Sequence, residues 1–538
     1  MGEIQNHIDE LCGNIDRRQK DGILEKQDAD LLRRLIRENP DDADQIASLG
    51  TMLHRTGLVF QTQSEKYTDR IQFLRRDDAL SFSSGEGPAN RLIIGDNYPA
   101  LQNLLIGYRG AVDVIYIDPP YGKDSMGGFA QTNYENEISR DTLLSALMPR
   151  LTLARELLSD EGVIFVSIDD RNQAYVKCLM DEIFGERNLL ANLAVVNNRA
   201  GRSDSGYYAT STEYCLAYGK NASHVVIRGL ELNEDTEASF TLSDQFGRYR
   251  LDGLKKTGKN CYREDRPHMY YPIYYSPSHD QADLVPRFSD DIEILPSING
   301  RDGRWRWGKE KFLKNKDANI SCKQQKDGYV VYAKTRYEVD GSVRTSKPKT
   351  IWDKKEYSTT NGTNTLKEII GNKNFSNPKS VFFVKDLIAT VSKADSLVLD
   401  FYAGSGTTGQ AVLDLNREDG GSRRFILVTN DDHGTNGEYP RGIGHDVTYE
   451  RLFRVMNGKG TKGETFPWLE KHAPYGGSLE VLTIEGAGVM DCPEHSILSS
   501  IDETLYGLPR FSTLTDKFLW ICRNFRNASR VLGKEAGV

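Results

Sequence analysis

Short apolar runs that alternate with helical stretches restrict this chain to few architectures. Arg91–Asp96, Val112–Ile117, Gly162–Asp169, Thr212–Tyr218, residues 396–401 and Arg424–Val428 are each nearly continuous in apolar residues. Between them lie helical patterns: one carries Leu101, Leu104 and Leu105, and others cover about 141–158, 379–392 and 407–416. A strand without polar alternation has no face for water. Both faces must then be covered, as in a parallel sheet with helices on either side. The expected fold is α/β, a doubly wound Rossmann-like sheet.

The rhythm is interrupted and framed. Residues 1–88 read as an N-terminal helical region: Ile23, Leu24, Leu31, Leu32, Leu35 and Ile36 fall on one helical face, and Asn39-Pro40 ends it. A second helical stretch carries Ile46, Leu49, Met52 and Leu53, and the polar Ser81–Pro88 stretch marks a boundary. Residues 89–229 form the first half of the α/β pattern. Residues 230–365 are rich in aromatic, basic and turn residues without clear periodicity, and 366–456 resume the pattern. Asn457–Gly463 introduces a C-terminal region, 457–538.

Composition narrows the setting. No window approaches eighteen uninterrupted apolar residues, so no membrane span is expected. The start, Met-Gly-Glu-Ile-Gln-Asn-His, lacks the pattern of a secretory leader. A cytoplasmic protein is expected. Cys12, Cys178, Cys215, Cys261, Cys322, Cys492 and Cys522 are scattered with no Cys-x-x-Cys pair, which suits reduced thiols rather than disulfides or zinc. Net charge is −8, yet residues 245–355 hold 24 Lys and Arg against 15 Asp and Glu. Such a segment suits either phosphate contact or a solvated face.

Two strands run straight into turn signatures. Val112–Ile117 leads into Asp118-Pro119-Pro120-Tyr121, and residues 396–401 lead into Gly404-Ser405-Gly406-Thr407-Thr408-Gly409. Asp118 can accept one N–H of an amino group and the Pro119 carbonyl the other, while Tyr121 offers a flat face to a base. The lone pair of an aromatic amine is delocalised into its ring. Acceptors for both protons return electron density to nitrogen as it attacks. Taken alone, the motif also reads as a rigid post-strand turn. The glycine turn has the G-x-G-x-x-G spacing that serves NAD, FAD and S-adenosylmethionine sites alike, or simply tight packing. The companion motif separates them: hydride transfer has no use for an amine grip, and methyl transfer to an amine does.

At these residues the chain resembles the DNA amino-methyltransferases. The amine-grip motif precedes the cofactor motif, with the basic region between, an order similar to the β class. Over most of residues 90–456 the chain is similar to the Mod (modification) subunits of type III restriction–modification systems. The resemblance is carried by Ile94–Asn97, Tyr116–Tyr121, Ser211–Tyr214, Tyr270–Ile273, Trp305–Lys311, Ile351–Asp353, Gly362–Asn364, Asn377–Lys379, Leu399–Thr408, Gly420–Phe425 and Tyr449–Arg451.

The resemblance implies an S-adenosylmethionine-dependent methyltransferase sheet with an inserted target-recognition region. Asp118, Pro119, Pro120 and Tyr121 would form the methyl-acceptor site for adenine N6 in double-stranded DNA. The base would be flipped out and stacked on Tyr121. Asp400, Phe401, Ala403, Gly404, Ser405, Gly406 and Thr407 would line the cofactor pocket. Asn377 and Lys379 would lie against the cofactor's amino-acid end. An acid after the strand at 424–428 would hold the ribose; here Asn430 and then Asp431 stand there. Asp96 resembles an acid near the cofactor's adenine and reads equally as a helix cap.

The inserted region would reach the major groove and flanking phosphates. Arg304, Trp305, Arg306 and Trp307 alternate cations with aromatics, and Lys309 follows. That suits base stacking and phosphate contact, or a half-buried strand with Trp inside and Arg outside. Tyr270, Tyr271, Tyr274 and Tyr275 read as core. The chemistry requires no metal. Implied partners are double-stranded DNA and the restriction (Res) subunit, and the N-terminal apolar stripe suggests a homodimer. Two other readings keep the same motifs: an N4-cytosine methyltransferase, where Ser-Pro-Pro-Tyr is commoner, and a DNA-recognition subunit without catalysis.

Overall fold

In the computed structural model the apolar runs assemble into one ten-stranded sheet. Residues 2–20, 24, 26–51, 70–83, 89–121, 140–201, 207–326, 328–371, 375–434, 438–488 and 498–525 are described. The strands are β1 (Arg70–Arg76), β2 (Asn90–Ile94), β3 (Val112–Ile117), β4 (Leu158–Ile168), β5 (Leu189–Val196), β6 (Thr212–Gly219), β7 (Ile351–Trp352), β8 (Leu397–Asp400), β9 (Arg424–Thr429) and β10 (Leu479–Gly488). Their order across the sheet is β1-β10-β2-β9-β8-β3-β4-β6-β5-β7. The run from β10 to β4 is parallel throughout, and β7 pairs parallel with β5. The pairs β1/β10, β4/β6 and β5/β6 are antiparallel.

Helices flank both faces. Outside 229–347 the described helices are α1 (Gly2–Lys20), α2 (Lys26–Glu38) and α3 (Ala43–Thr51), which form a cluster of their own, and α4 (Asn97–Tyr108), α5 (Arg140–Leu157), α6 (Asp170–Phe184), α7 (Thr359–Ile370), α8 (Val381–Val391), α9 (Thr407–Asp419), α10 (Glu450–Asn457) and α11 (Leu514–Asn524). Alternation along β3 divides them. Ile115 and Ile117 join a core with Leu101 and Leu104 of α4, Leu147 and Leu151 of α5 and Leu179 of α6. Tyr116 points the other way, its ring 6.5 Å from that of Phe383 in α8. On that second face α9 presses close: a Cβ on Gly409 would stand 3.0 Å from Leu427. The doubly wound reading holds.

The motif strands β3 and β8 are parallel neighbours, with Val114 opposite Val398 and Ile115 opposite Leu399. From β3 the chain continues to β4 on one side, and from β8 to β9 on the other. Strand order therefore reverses between them, and the crevice at their carboxyl ends is where such sheets bind ligands.

Three segment readings change. Residues 70–76, expected within a helical region, are a strand whose Ile71 and Phe73 are buried at period two. The C-terminal region supplies β10, inserted between β1 and β2. The inserted region ends earlier than 365. The chain divides into Met1–Arg228 with Pro348–Val538, and Gly229–Lys347. β7 and α7 belong with the sheet, because Ile351 pairs with Ala194 and α7 buries Leu366, Ile369 and Ile370. The turn-rich stretch ahead of α7 has the same composition as the insert and concealed that change.

The N-terminal helices have their own core. Ile8, Cys12 and Ile15 pack with Leu24, Ala29, Leu32, Ile36 and Ala43. Leu31, expected on this face, is 44% exposed. Of the stripe that suggested a homodimer, Leu24, Leu32 and Ile36 are taken up within the cluster. Ile23, Met52, Leu53 and most of the polar boundary lie outside the described residues.

The unit Gly229–Lys347 has a four-stranded antiparallel sheet, 320–325/328–336/247–253/242–244, and a three-stranded one, 281–283/273–276/292–294. Helix Lys309–Asn319 contributes Phe312 to a core with Leu254, Tyr271, Ile273, Tyr275, Trp305 and Val331. The unit closes its own ends, Leu230 opposite Ser346 and Glu231 opposite Thr345.

Candidate active site

β3 stops at Ile117 because two prolines follow Asp118 and cannot donate to a ladder. Asp118 Oδ1 accepts from the Tyr121 hydroxyl at 2.9 Å and pairs with Lys379 Nζ at 2.9 Å. Lys379 Nζ also lies 3.2 Å from Glu213 Oε2, donates to the Tyr121 hydroxyl at 2.9 Å, and stands 5.2 Å from that ring's centroid. Glu213 reaches the cluster because β6 runs antiparallel to β4, which brings its first residues to the carboxyl end of β4.

The electrostatics are those of two acids, Glu213 buried and Asp118 half-buried, sharing one cation. Burial pushes the Glu213 carboxyl above its ordinary value, with Lys379 opposing. Burial also works against the Lys379 ammonium, yet Asp118 and Glu213 outweigh it and hold it above its ordinary value. Burial, reinforced by Asp118 and Glu213, keeps the Tyr121 phenol firmly protonated and so a donor. Both donors fall on Asp118 Oδ1. Among the described residues, none donates to Oδ2. A carboxylate anchored through one oxygen keeps the other as an acceptor.

A cavity of about 1020 Å³ joins the two motifs. Asp118, Pro119, Pro120 and Tyr121 line it, as do Asp400, Phe401, Ala403, Gly404, Ser405 and Thr407. Asn377, Lys379, Asn430 and Asp96 line it too. Gly406, expected there, is not a lining residue. It has φ +77, and a Cβ would meet Thr448 Cγ2 at 3.1 Å, so it shapes the turn from behind. Lys379, expected at the cofactor's amino-acid end, has its ammonium on the acids of the amine-grip cluster.

The glycine turn is held by side chains the sequence did not assign. Arg451 is fully buried. Its Nη1 donates to the Ser405 carbonyl and Oγ, each at 3.1 Å, and to Thr407 Oγ1 at 2.9 Å, while Nε donates to Gln410 Oε1 at 2.8 Å. Its Nη2 is buried without a hydrogen-bond partner, and among the described residues no carboxylate pairs with it. Burial lowers its pKa to about 9. Thr448 Oγ1 donates to the Gly404 carbonyl at 2.5 Å. An uncompensated cation under a helix N-terminus suits an anionic group in the turn. The cradle, the positive-φ glycines and the buried cation fit the amino-acid end of S-adenosylmethionine.

Asp400, which ends β8, accepts from the Tyr402 N–H at 2.9 Å and from Thr408 Oγ1 at 2.5 Å. Burial nevertheless raises its carboxyl to about 7. Asp96 does two things at once: it caps α4 through the Tyr98 N–H at 2.7 Å and pairs with Arg150 at 3.3 Å at the cavity wall. Arg150 also bonds Asn97, whose Nδ2 donates to the Phe401 carbonyl at 2.8 Å. After β9, Asn430 and Asp432 line the cavity. Asp431 does not; it turns to His445 Nδ1 at 3.0 Å.

In the unit 229–347 the cation–aromatic run is largely structural. Trp305 is 2% exposed and donates from Nε1 to the Tyr271 carbonyl at 2.8 Å. Arg304 is buried too, donating to the carbonyls of Asn260 and Trp305. Neither can stack on a base or reach a phosphate as placed. Arg306 and Lys309 are exposed and Trp307 is half-buried. Tyr271 and Tyr275 are core, as expected, while Tyr270 and Tyr274 are half-buried.

Glu213 and Arg451 lay inside the quoted sequence blocks without a role. For Glu213 the signal was available, since it is the one charge in Thr212–Tyr218; Arg451 stands between Glu450 and Arg454 in its segment, and nothing there singled it out. Burying an unpaired charge is costly, so such a residue calls for a partner or a ligand.

Comparison with known proteins agrees with this geometry. A family model described as DNA methylase, of the N6/N4 type, matches residues 112–447. A model of an uncharacterised conserved protein family matches residues 9–114. The type III restriction-modification enzyme EcoPI Mod subunit of Escherichia phage P1 is 34% identical over 402 residues, covering 68% of this chain and 62% of that protein. The chain thus spans under two thirds of that relative. The type II methyltransferase M.KpnI of Klebsiella pneumoniae is 34% identical over 359 residues, 65% of this chain and 83% of its own. A solved structure, PvuII DNA methyltransferase (cytosine-N4-specific), aligns with TM-score 0.32 and 10% identity over 70% of this chain and 96% of its own. Matched across more than half its length, with both motif strands inside the match, the chain belongs to the N6/N4 DNA methylase family, whose methyl donor is S-adenosylmethionine.

Proposed function

We propose that this protein methylates adenine N6 at a specific sequence in double-stranded DNA, as the modification subunit of a type III restriction–modification system. The observation that carries the reading is Asp118: one carboxylate oxygen is anchored by Lys379 and Tyr121, and the other is left for a donor in the cavity that the glycine turn also lines. When bound, S-adenosylmethionine supplies an electrophilic methyl group. Asp118 Oδ2 accepts one N6–H of the extruded adenine and the Pro119 carbonyl accepts the other. Lys379, held by Glu213, fixes Asp118 in place while the amine nitrogen attacks, and Asp118 then takes the proton that leaves.

Ser405, Thr407 and the Gly404 backbone, braced by Arg451 and Thr448, hold the cofactor's amino-acid end. Asp432 or Asn430, both on the cavity wall, would accept from the ribose hydroxyls, and Asp96 would face the cofactor's adenine. The unit 229–347 reads the DNA with surface residues such as Arg306 and Lys309. The partner this reading implies is a restriction subunit, and the setting is the cytoplasm. Among the described residues no helix is long and apolar enough to cross a membrane.

Single-molecule sequencing of DNA from cells expressing the protein tests this. N6-methyladenine at one recurring motif is expected. N4-methylcytosine, or unmodified DNA, would refute it. Asp118→Ala should abolish the mark and leave S-adenosylmethionine binding within a few-fold of the wild type.

A further inference from the structure

Two large aromatic side chains at the active-site cavity bury almost nothing. Tyr207 is 95% and Tyr208 91% exposed, and both line the cavity with Asp118 and Tyr121. They sit on the hairpin loop between β5 and β6, just ahead of the strand that carries Glu213 into the site. The base of that loop is tied down. The Asn198 N–H donates to the Ser211 carbonyl at 3.2 Å and the Gly201 N–H to the Asn198 carbonyl at 3.1 Å. The Thr359 N–H of α7 donates to the Asn197 carbonyl at 3.1 Å. Gly201 has φ +75 and lies so close to Ala209 that a Cβ would stand 2.8 Å from it.

A solvent-facing tyrosine forgoes the burial that usually makes an aromatic ring stabilising. Two in succession on an anchored loop, at the wall of a cavity, are placed to meet a planar ligand. Tyr121, the other aromatic expected to meet it, has its hydroxyl on Asp118 and its ring against Lys379. We propose that Tyr207 and Tyr208 form the stacking surface that receives the purine extruded from the duplex. The proposal rests on the adenine-methylation reading above and adds the residues that hold the base. Stacking is indifferent to hydrogen-bond pattern. The pair would stabilise extrusion, and recognition of the amine stays with Asp118 and Pro119.

The test uses the full chain and a duplex carrying the methylation motif found by sequencing. Transfer is measured with adenine at the target, and extrusion with 2-aminopurine there, which brightens when it leaves the stack. The double substitution Y207A/Y208A should lose the brightening and lower kcat/KM by about ten- to a hundredfold, the scale of one to two stacking contacts. Because the rings bury almost nothing, its melting temperature and S-adenosylmethionine affinity should match the wild type. Y207F/Y208F, which keeps both rings, should restore extrusion and transfer. A mismatch opposite the target adenine, which makes extrusion easier, should recover most of the alanine pair's loss. An alanine pair as fast and as bright as the wild type, or a phenylalanine pair as slow as the alanine pair, overturns this proposal alone. A wild-type protein that leaves adenine unmethylated and 2-aminopurine dark overturns the adenine reading, and this one with it.

Discussion

Replacing Asp400 with asparagine should stabilise the protein, and by more at pH 8 than at pH 5. In the folded chain this carboxyl is 2% exposed, and burial raises it from 3.8 to about 7 against the pull of the Thr408 and Tyr402 donors. A raised acid favours the folded state only while protonated. Its contribution is intact below the unfolded value and is lost as pH climbs toward 7. Each pH unit over which the folded chain keeps a proton that the unfolded chain has released costs about 1.36 kcal/mol. At pH 5 the loss is therefore about 1.5 kcal/mol, and above pH 7 it levels off at about 4 kcal/mol. Asparagine carries no charge and still offers an oxygen to the Tyr402 N–H or the Thr408 hydroxyl. Its advantage should grow by about 2–3 kcal/mol between pH 5 and pH 8. Urea unfolding of both proteins at the two pH values measures this directly. A difference between them that ignores pH, or a variant less stable at pH 8, refutes the reasoning.

Other substitutions separate the remaining roles. Lys379→Met removes the cation between Asp118 and Glu213. The acids must then share a proton, and the acidic limb of the kcat–pH profile should move up by about one unit; an unmoved limb counts against the assignment. Arg451→Met should weaken S-adenosylmethionine binding by about ten- to a hundredfold, since charged hydrogen bonds to the turn are lost. Its melting temperature should change little, because burial of the guanidinium is relieved as well. Calorimetric titration and thermal melting read the two effects. Trp305→Ala should cost about 3–5 kcal/mol and expose 229–347 to proteolysis. Arg306→Ala and Lys309→Ala should leave the fold intact, and each should reduce the salt slope of DNA binding by about 1.

The parts of the fold that could be read in advance were those with a one-dimensional signature. β3, β8 and β9 are buried on both faces and therefore continuous in apolar residues. β1 and β10 mix polar with apolar residues, and β1 joins the sheet only through β10, about 400 residues away in sequence, so their pairing was not legible. Asp118 was identifiable because its neighbours in sequence are part of its chemistry. The partners of its carboxylate were not, because Lys379 and Glu213 arrive from other segments. Arg304–Trp307 shows the converse limit. Cations alternating with aromatics look alike on a DNA-facing surface and in a core whose arginine bonds carbonyls, and only the packing of Trp305 on Tyr271 separates them. Which residue follows β9 into the cavity was likewise set elsewhere, by His445 drawing Asp431 aside.

The insertion of β10 between β1 and β2 has a consequence for how the chain is made. Ile484 lies opposite Leu74 on one side, and Val481 opposite Leu92 on the other. During synthesis, β2 emerges almost four hundred residues before the strand that covers its edge. At roughly 5–20 residues per second that interval is on the order of tens of seconds, during which β1 has no partner and β2 keeps an open edge. A nascent chain in that condition is a substrate for chaperones and a seed for edge-to-edge association. A premature stop ahead of Leu479 would remove the strand that joins the beginning of the sheet to its middle, so a message truncated near its end should yield insoluble protein.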